Sequence, residues 1–292
     1  MLNPLQVFPI VLGQAFVPQT LKRTPEVFDE TAVMSAEESV QQYNEAMESK
    51  LVIIYAAVLE HIHRVRRKTE GGRAIDLCCG PGHFTLLMAK HFDFEEVVGV
   101  DLSEPMVAAA NRNADSWGLS DRVRFEVGDA TAVQAPDGAF DVVTCNDAAH
   151  HMPNLQLVGE LLGEMDRLSP HDGIAVLSDL VRLKTDSLTQ RYTKLIGQDY
   201  LDRGLDSFQQ DFCNSMQAAW TGDELRLAVP SRSNKAWHHT IQKLLPTVQL
   251  ITAYPNDGNP IQIRKSLPWS DHDHPVPSHM KTDWNLFRVL LA

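Results

Sequence analysis

The chain has 292 residues, enough to bury a full core, and its 43% hydrophobic and 22% charged residues are ordinary for a soluble globular protein. Lys and Arg number 26 against 38 Asp and Glu, a formal net charge of -12; that average field repels polyanions and demotes nucleic acid as a partner. The cysteines at 78, 79, 145 and 213 contain no CxxC pair, which reads as reduced thiols of a cytoplasmic protein, not a zinc knuckle or disulfide framework.

The N-terminal stretch MLNPLQVFPIVLGQAFVPQT lacks a basic leader and is interrupted by Pro4, Pro9 and Pro18, which argues against a signal peptide. No uninterrupted apolar run reaches about 18 residues, so no membrane span is expected. Residues 1–34 read as an irregular arm. Ser35 and Glu38 make a capping box, and Met47, Leu51, Ile54, Val58, Ile62 and Val65 recur at helical spacing, predicting a helix over 36–67. Its basic end, Arg64 to Lys68, suits the helix dipole, and Gly71 and Gly72 stop it.

Short apolar runs then alternate with helical patterns: runs at 74–78, 96–102, 123–129, 141–147 and 173–180, helices to about 91 and over 104–118 and 154–168. Strands this apolar belong in a parallel sheet covered on both faces, so the fold class is a doubly wound α/β sandwich. Past 180, helices are predicted over 185–197, 206–219 and 223–229, the last opened by a Thr221/Glu224 box. VQLITAY (248–254) and PIQIRKSL (260–267) are expected to finish the sheet as an antiparallel pair.

The chemistry gathers where strands end. After the first strand, CGPGHFT carries Gly80 and Gly82, with Thr85 where a dinucleotide fingerprint has its third glycine. Glycines let backbone turn tightly and approach a ligand. Asp76 lies in the first strand. Asp101 closes the second, where a carboxylate accepts ribose hydroxyls, and Asp129 closes the third, where one accepts an exocyclic amine. A single such Asp is most often a cap or turn residue; three around one glycine loop mark a ligand crevice.

DLCCGPGHF, VVGVDLSEPMV and VRFEVGDA, in this order, resemble class I S-adenosylmethionine-dependent methyltransferases, and more narrowly the small-molecule group related to ubiquinone and menaquinone biosynthesis. The resemblance covers about residues 70–180. A looser likeness extends to RTPEVFD in the arm, NDAAHHM (146–152) and DFCNSMQAAWTGDEL (211–225). It implies a Rossmann-like fold and S-adenosyl-L-methionine as cofactor. Backbone at Cys78, Gly80, Pro81 and Gly82 would hold the methionine part, with Asp76 helping to orient its amino group. Asp101 would bind the ribose, Leu102 and Met106 would pack against adenine, and Asp129 and Ala130 would meet its edge. Asn146 would lie beside the sulfonium, and Tyr43 would close over the cofactor or serve as a half-buried aromatic.

Methyl transfer needs alignment, exclusion of water and, for some acceptors, a base. Asp147, His150 and His151 follow the fourth strand and are the candidates; a histidine here also suits helix capping or sheet packing. Tyr192, Tyr200, Phe208, Phe212, Met216 and Trp220 either line an acceptor site for an aromatic or apolar small molecule or form the core between two helices. The alternation of Asp271, His272, Asp273 and His274, with His279, reads as a solvated loop, so no metal site is expected.

The organisation expected is an arm and cap helix (1–70), a cofactor-binding core (71–182), a helical lid or substrate insertion (183–246), and terminal strands and tail of the same domain (247–292). A homo-oligomer is compatible with this. The rival readings are an enzyme that uses such a cofactor without methylating, and a non-catalytic binding module.

Overall fold

The computed structural model describes residues 4–26, 37–46, 51–68, 70–242, 247–258, 267 and 274–285. Ser35, Met47 and the run from Asp271 to Asp273 lie outside these residues, as do 260–266 of the expected last strand.

Three helices lead the chain: α1 (Pro4–Phe16), α2 (Glu37–Ala46) and α3 (Leu51–Val65). The first corrects the expected irregular arm. Ile10 is fully buried in an apolar cluster with Leu183, Tyr192 and Ile196, and that burial outweighs the cost of Pro9 inside the helix. Helix is found on both sides of residues 47–50, which fall within the single helix expected over 36–67.

The core then alternates as expected: β1 (Arg73–Leu77), α4 (His83–His91), β2 (Glu96–Asp101), α5 (Glu104–Trp117), β3 (Val123–Val127), β4 (Val142–Asn146), α6 (Leu155–Leu168) and β5 (Ile174–Leu180). Ser103 caps α5 by accepting from the Met106 amide, and Gly118 ends it in the left-handed region. Along the strands, side chains alternate between two apolar layers. Ala74, Val142, Ile174 and Val176 face the layer of α3 and α4, whereas Ile75, Leu77, Val143, Cys145, Ala175 and Leu177 face that of α6.

After β5 come α7 (Asp186–Asp202), α8 (Asp206–Ala218) and α9 (Gly222–Ala228), the last opened by the Thr221/Glu224 capping box. Two strands finish the sheet, β6 (Lys235–Ile241) and β7 (Val248–Pro255). The antiparallel partner of β7 is therefore KAWHHTI, not PIQIRKSL. The strand β6 is an edge strand whose outward residues are polar, so it lacks the apolar run that marks its neighbours.

The order β3-β2-β1-β4-β5-β7-β6 has five parallel strands, with β7 antiparallel to both neighbours. Strand order reverses between β1 and β4, and a ligand crevice in an open α/β sheet lies at the carboxyl ends of the strands at such a point. No helix among the described residues is long and apolar enough to cross a membrane.

Candidate active site

The crevice is built first from the loop after β1. Cys78, Gly80 and Gly82 all have positive φ, at 56°, 53° and 80°, so the chain turns back on itself within five residues. A Cβ at Gly80 would meet nothing within 4 Å, whereas one at Gly82 would lie 2.5 Å from Phe125 Cζ. Gly80 thus faces open space and Gly82 packs against β3. The Gly80 amide donates to Asp101 Oδ2 (2.8 Å) and the Ser103 amide to Oδ1 (2.9 Å). Asp101 therefore ties the glycine loop to the end of β2. Burial pushes its carboxyl up, while the Ser103 and Gly80 amides oppose that shift.

Asp76 lies beneath the loop. Thr85 Oγ1 donates to its Oδ2 (2.8 Å); Thr144 Oγ1 (2.8 Å) and Asn146 Nδ2 (3.4 Å) donate to Oδ1. Burial pushes its carboxyl up to about 6, with the hydroxyls of Thr144 and Thr85 holding it down. Asp76 thus spends both oxygens on neighbours, Asn146 among them. The Oδ1 atom of Asn146 is buried with no hydrogen-bond partner, an acceptor waiting for a donor.

Leu102 is 66% exposed at the rim, a large apolar side chain next to Asp101 and available to a flat ring. Met106 is buried against Val40 of α2 and Ala109. Asp129 is exposed, and its Oδ1 accepts from the amide (2.8 Å) and hydroxyl (2.7 Å) of Thr131; Ala130 is buried beside it. The helix α2 closes this side. Asn44 Oδ1 pairs with His83 Nε2 (2.8 Å) and accepts from Asn113 Nδ2 (3.0 Å), which also donates to Pro81 O (2.8 Å). Burial lowers His83 to about 4, so the ring is neutral and the latch is a neutral hydrogen bond. Together the open cradle at Gly80, the unpaired Asn146 oxygen and the exposed Leu102 fit an adenosyl amino acid.

Past the end of β4 lies a cavity of about 120 Å³. All three base candidates line it, as do Tyr43, Tyr192, Tyr200, Phe208 and Phe212. Met216 and Trp220 do not. Met216 is fully buried among α7 and α8, and Trp220 donates Nε1–H to Ala149 O (2.8 Å). Tyr43 packs edge-on against Phe208 at 5.4 Å, which places it at the cavity wall.

Asp147 has φ 50°, a left-handed conformation that an Asp tolerates better than most residues. Both of its carboxylate oxygens are buried without a hydrogen-bond partner. Burial, with the Asp179 carboxylate adding to it, pushes the group up to about 7, while His151 pulls it down. His150 is buried and its Nδ1 meets Asp179 Oδ1 at 2.6 Å. His151 Nδ1 meets Glu26 Oε2 at 2.5 Å, and Ser215 Oγ donates to Glu26 Oε1 at 3.1 Å. Burial works to lower His151, but the Glu26 carboxylate outweighs it and the ring is held above its ordinary range. Glu26 is correspondingly lowered: burial alone would raise it, and the His151 bond reverses the sign.

Glu26, Asp179, Asp211 and Ser215 were not among the expected site residues. The signals were present. Glu26 belongs to RTPEVFD and Asp211 and Ser215 to DFCNSM, the outlying likenesses, and Asp179 is a carboxylate inside the apolar run of β5. Arg23 joins these pieces. Its guanidinium donates to the carbonyls of His150 (3.0 Å), Met152 (2.6 Å), Pro153 (3.0 Å) and Ala218 (2.6 Å) and stacks 3.6 Å above Trp220. Among the described residues, Glu26, His150 and His151 are the group whose ligand atoms lie within 4.8 Å of one another. Of the tail histidines, His274 accepts from the Val276 amide (3.0 Å) within its own loop.

A seven-stranded sheet of this order with a glycine loop at its switch point is a Rossmann-like, doubly wound fold. Residues 74–173 match the family described as methyltransferase domain. Over 106 residues the chain is 41% identical to the demethylmenaquinone methyltransferase of Thermus thermophilus, covering 36% of this chain and 46% of that protein. It is 30% identical over 145 residues to the enzyme of the same name from Lactiplantibacillus plantarum, covering 49% and 57%. The chain thus spans about half the length of these curated relatives. The crystal structure of a putative S-adenosyl-L-methionine-dependent methyltransferase from Methanococcus maripaludis shares the fold, with a TM-score of 0.53 and 17% identity over 82% of this chain and 99% of that one.

Proposed function

We infer that the protein is an enzyme that transfers the methyl group of S-adenosyl-L-methionine to an O, N or C atom of a small-molecule acceptor. The observation that carries this reading is the adjacency of two half-sites at the end of β4. A glycine loop is tied to Asp101, and the bare Asn146 oxygen precedes Asp147, which lines a cavity with His150 and His151. In this reading residues 71–182 bind the cofactor and 183–246 supply the acceptor wall. A non-catalytic module has no need of the second half, so the cavity favours catalysis.

The cofactor supplies an electrophilic methyl group on a sulfonium. The chain's own residues supply the rest. Backbone from Cys78 to Gly82 and the Asn146 oxygen fix the amino-acid end, Asp101 takes the ribose hydroxyls, and Leu102 and Ala130 flank the base. The apolar cavity walls exclude water and hold the acceptor in line, and positioning of this kind is worth about 7–11 kcal/mol of barrier. Asp147, balanced near neutrality by its burial, takes the acceptor's proton. His150 and His151, each braced by a carboxylate, orient the acceptor.

Calorimetry with S-adenosylhomocysteine, followed by turnover assays across acceptor classes read by mass, tests this proposal. A gain of 14 Da on an acceptor is expected. A product of any other mass would point to a different use of the same cofactor.

A further inference from the structure

We propose that the acceptor is an apolar amine about one aromatic ring in size, seated as its ammonium ion against Asp147. This rests on the methyl-transfer reading above and deepens it. The cavity measures about 120 Å³, close to an engineered cavity of roughly 150 Å³ that holds benzene. Its walls include the rings of Tyr43, Tyr192, Tyr200, Phe208 and Phe212, surfaces that attract a cation as well as an apolar body.

The charges point the same way. Asp147, Asp211 and Asp283 line the cavity, and among the described residues no Lys or Arg does. The two histidines that line it, His150 and His151, are already matched by carboxylates, Asp179 at 2.6 Å and Glu26 at 2.5 Å. Both oxygens of Asp147 are buried without a hydrogen-bond partner, and a buried carboxylate in that state costs free energy until a donor or cation reaches it. An ammonium with its three N–H groups supplies both. A phosphate or carboxylate acceptor would instead meet like charges with no guanidinium or ammonium to receive it.

The reaction balances. One N–H bond of the ammonium breaks, its proton passing to an Asp147 oxygen and its electron pair staying on nitrogen. That pair forms the N–CH3 bond as the carbon–sulfur bond of S-adenosylmethionine breaks towards sulfur. The positive charge moves from sulfur to the methylated nitrogen, which stays beside Asp147, and the Asp147 proton leaves to solvent with the product.

The test uses the full chain saturated with S-adenosylhomocysteine and three probes of one shape: benzylamine, benzyl alcohol and benzoate. Titration calorimetry is expected to show benzylamine binding at least 10-fold more tightly than benzyl alcohol, and benzoate not at all. Asp147→Asn preserves shape, and Asn suits the left-handed backbone. It is expected to lose at least 10-fold in benzylamine affinity while leaving benzyl alcohol unchanged. Equal or tighter binding of the alcohol or of benzoate, or unchanged benzylamine affinity in the variant, overturns the proposal. If Asp147→Asn fails to fold, Asp211→Asn replaces it, with a selective loss of benzylamine affinity expected and no loss counting against the proposal. S-adenosylhomocysteine binding is read in the same samples: its absence overturns the methyl-transfer reading and this inference together, whereas its presence without an amine preference overturns this inference alone.

Discussion

Two glycines two residues apart in one loop do different work, and substitution separates them. Gly80 is needed for its φ of 53°, since a Cβ there has open space; Gly82 combines a φ of 80° with a Cβ position 2.5 Å from Phe125. Gly80→Ala is therefore expected to cost about 1–2 kcal/mol of stability, and Gly82→Ala distinctly more because Phe125 must move. Chemical denaturation of both variants checks this ordering. Asp76 supplies a pH signature. Its carboxyl is raised to about 6 in the fold, above its unfolded value near 3.8, so its ionisation opposes folding. The penalty is absent below about pH 4, grows between about pH 4 and 6 and is then constant at about 3 kcal/mol. The stability of Asp76→Asn relative to the parent should accordingly rise by about that amount from pH 4 to pH 7. A flat difference would place the charge of Asp76 elsewhere. At Asp147 the sign concerns rate: with a value of about 7, activity should climb through neutrality as the carboxylate forms. Asp147→Asn should lose about 100-fold or more, measured as kcat against pH.

Among the elements, the segment from Val17 to Glu26 organises the acceptor side although it has no helix or strand of its own. Arg23 ties the turn after β4 to the end of α8, and Glu26 reaches His151. Replacing Arg23 with Ala leaves several carbonyls without their donor and is expected to cost about 2–3 kcal/mol. It should also impair turnover with S-adenosylhomocysteine affinity unchanged, since none of its partners belongs to the glycine loop; paired melting and calorimetry measure both. This level also shows what sequence could reveal. The parallel strands were legible because burial on two faces demands apolar runs, and the loop and its acids because they sit at strand ends. The helix α1 was not, because its prolines argue locally against what Ile10 gains by packing on α7. Nor was β6, whose polar outward face hides it. The pairing of Glu26 with His151 spans 125 positions, and no local pattern encodes a contact of that range.

For the molecule as a whole, the sheet's reversal between β1 and β4 places two chemistries side by side. One side is polar backbone and carboxylates, which the proposed reading assigns to an adenosyl amino acid; the other is an apolar, acid-lined cavity roofed by α2, α7 and α8. The first half was legible as a list of residues in one short stretch. The second was legible only as scattered likenesses, because its walls come from α2, α3, the turn after β4 and the helices after β5. Asp101 is the hinge of this account, since it anchors the Gly80 amide and, in the proposed reading, takes the ribose hydroxyls. The decisive measurement is titration of S-adenosylhomocysteine into the parent protein and into Asp101→Ala. The account predicts one site per chain and at least a 10-fold loss of affinity in the variant; no binding to the parent, or equal affinity in the two, would contradict it.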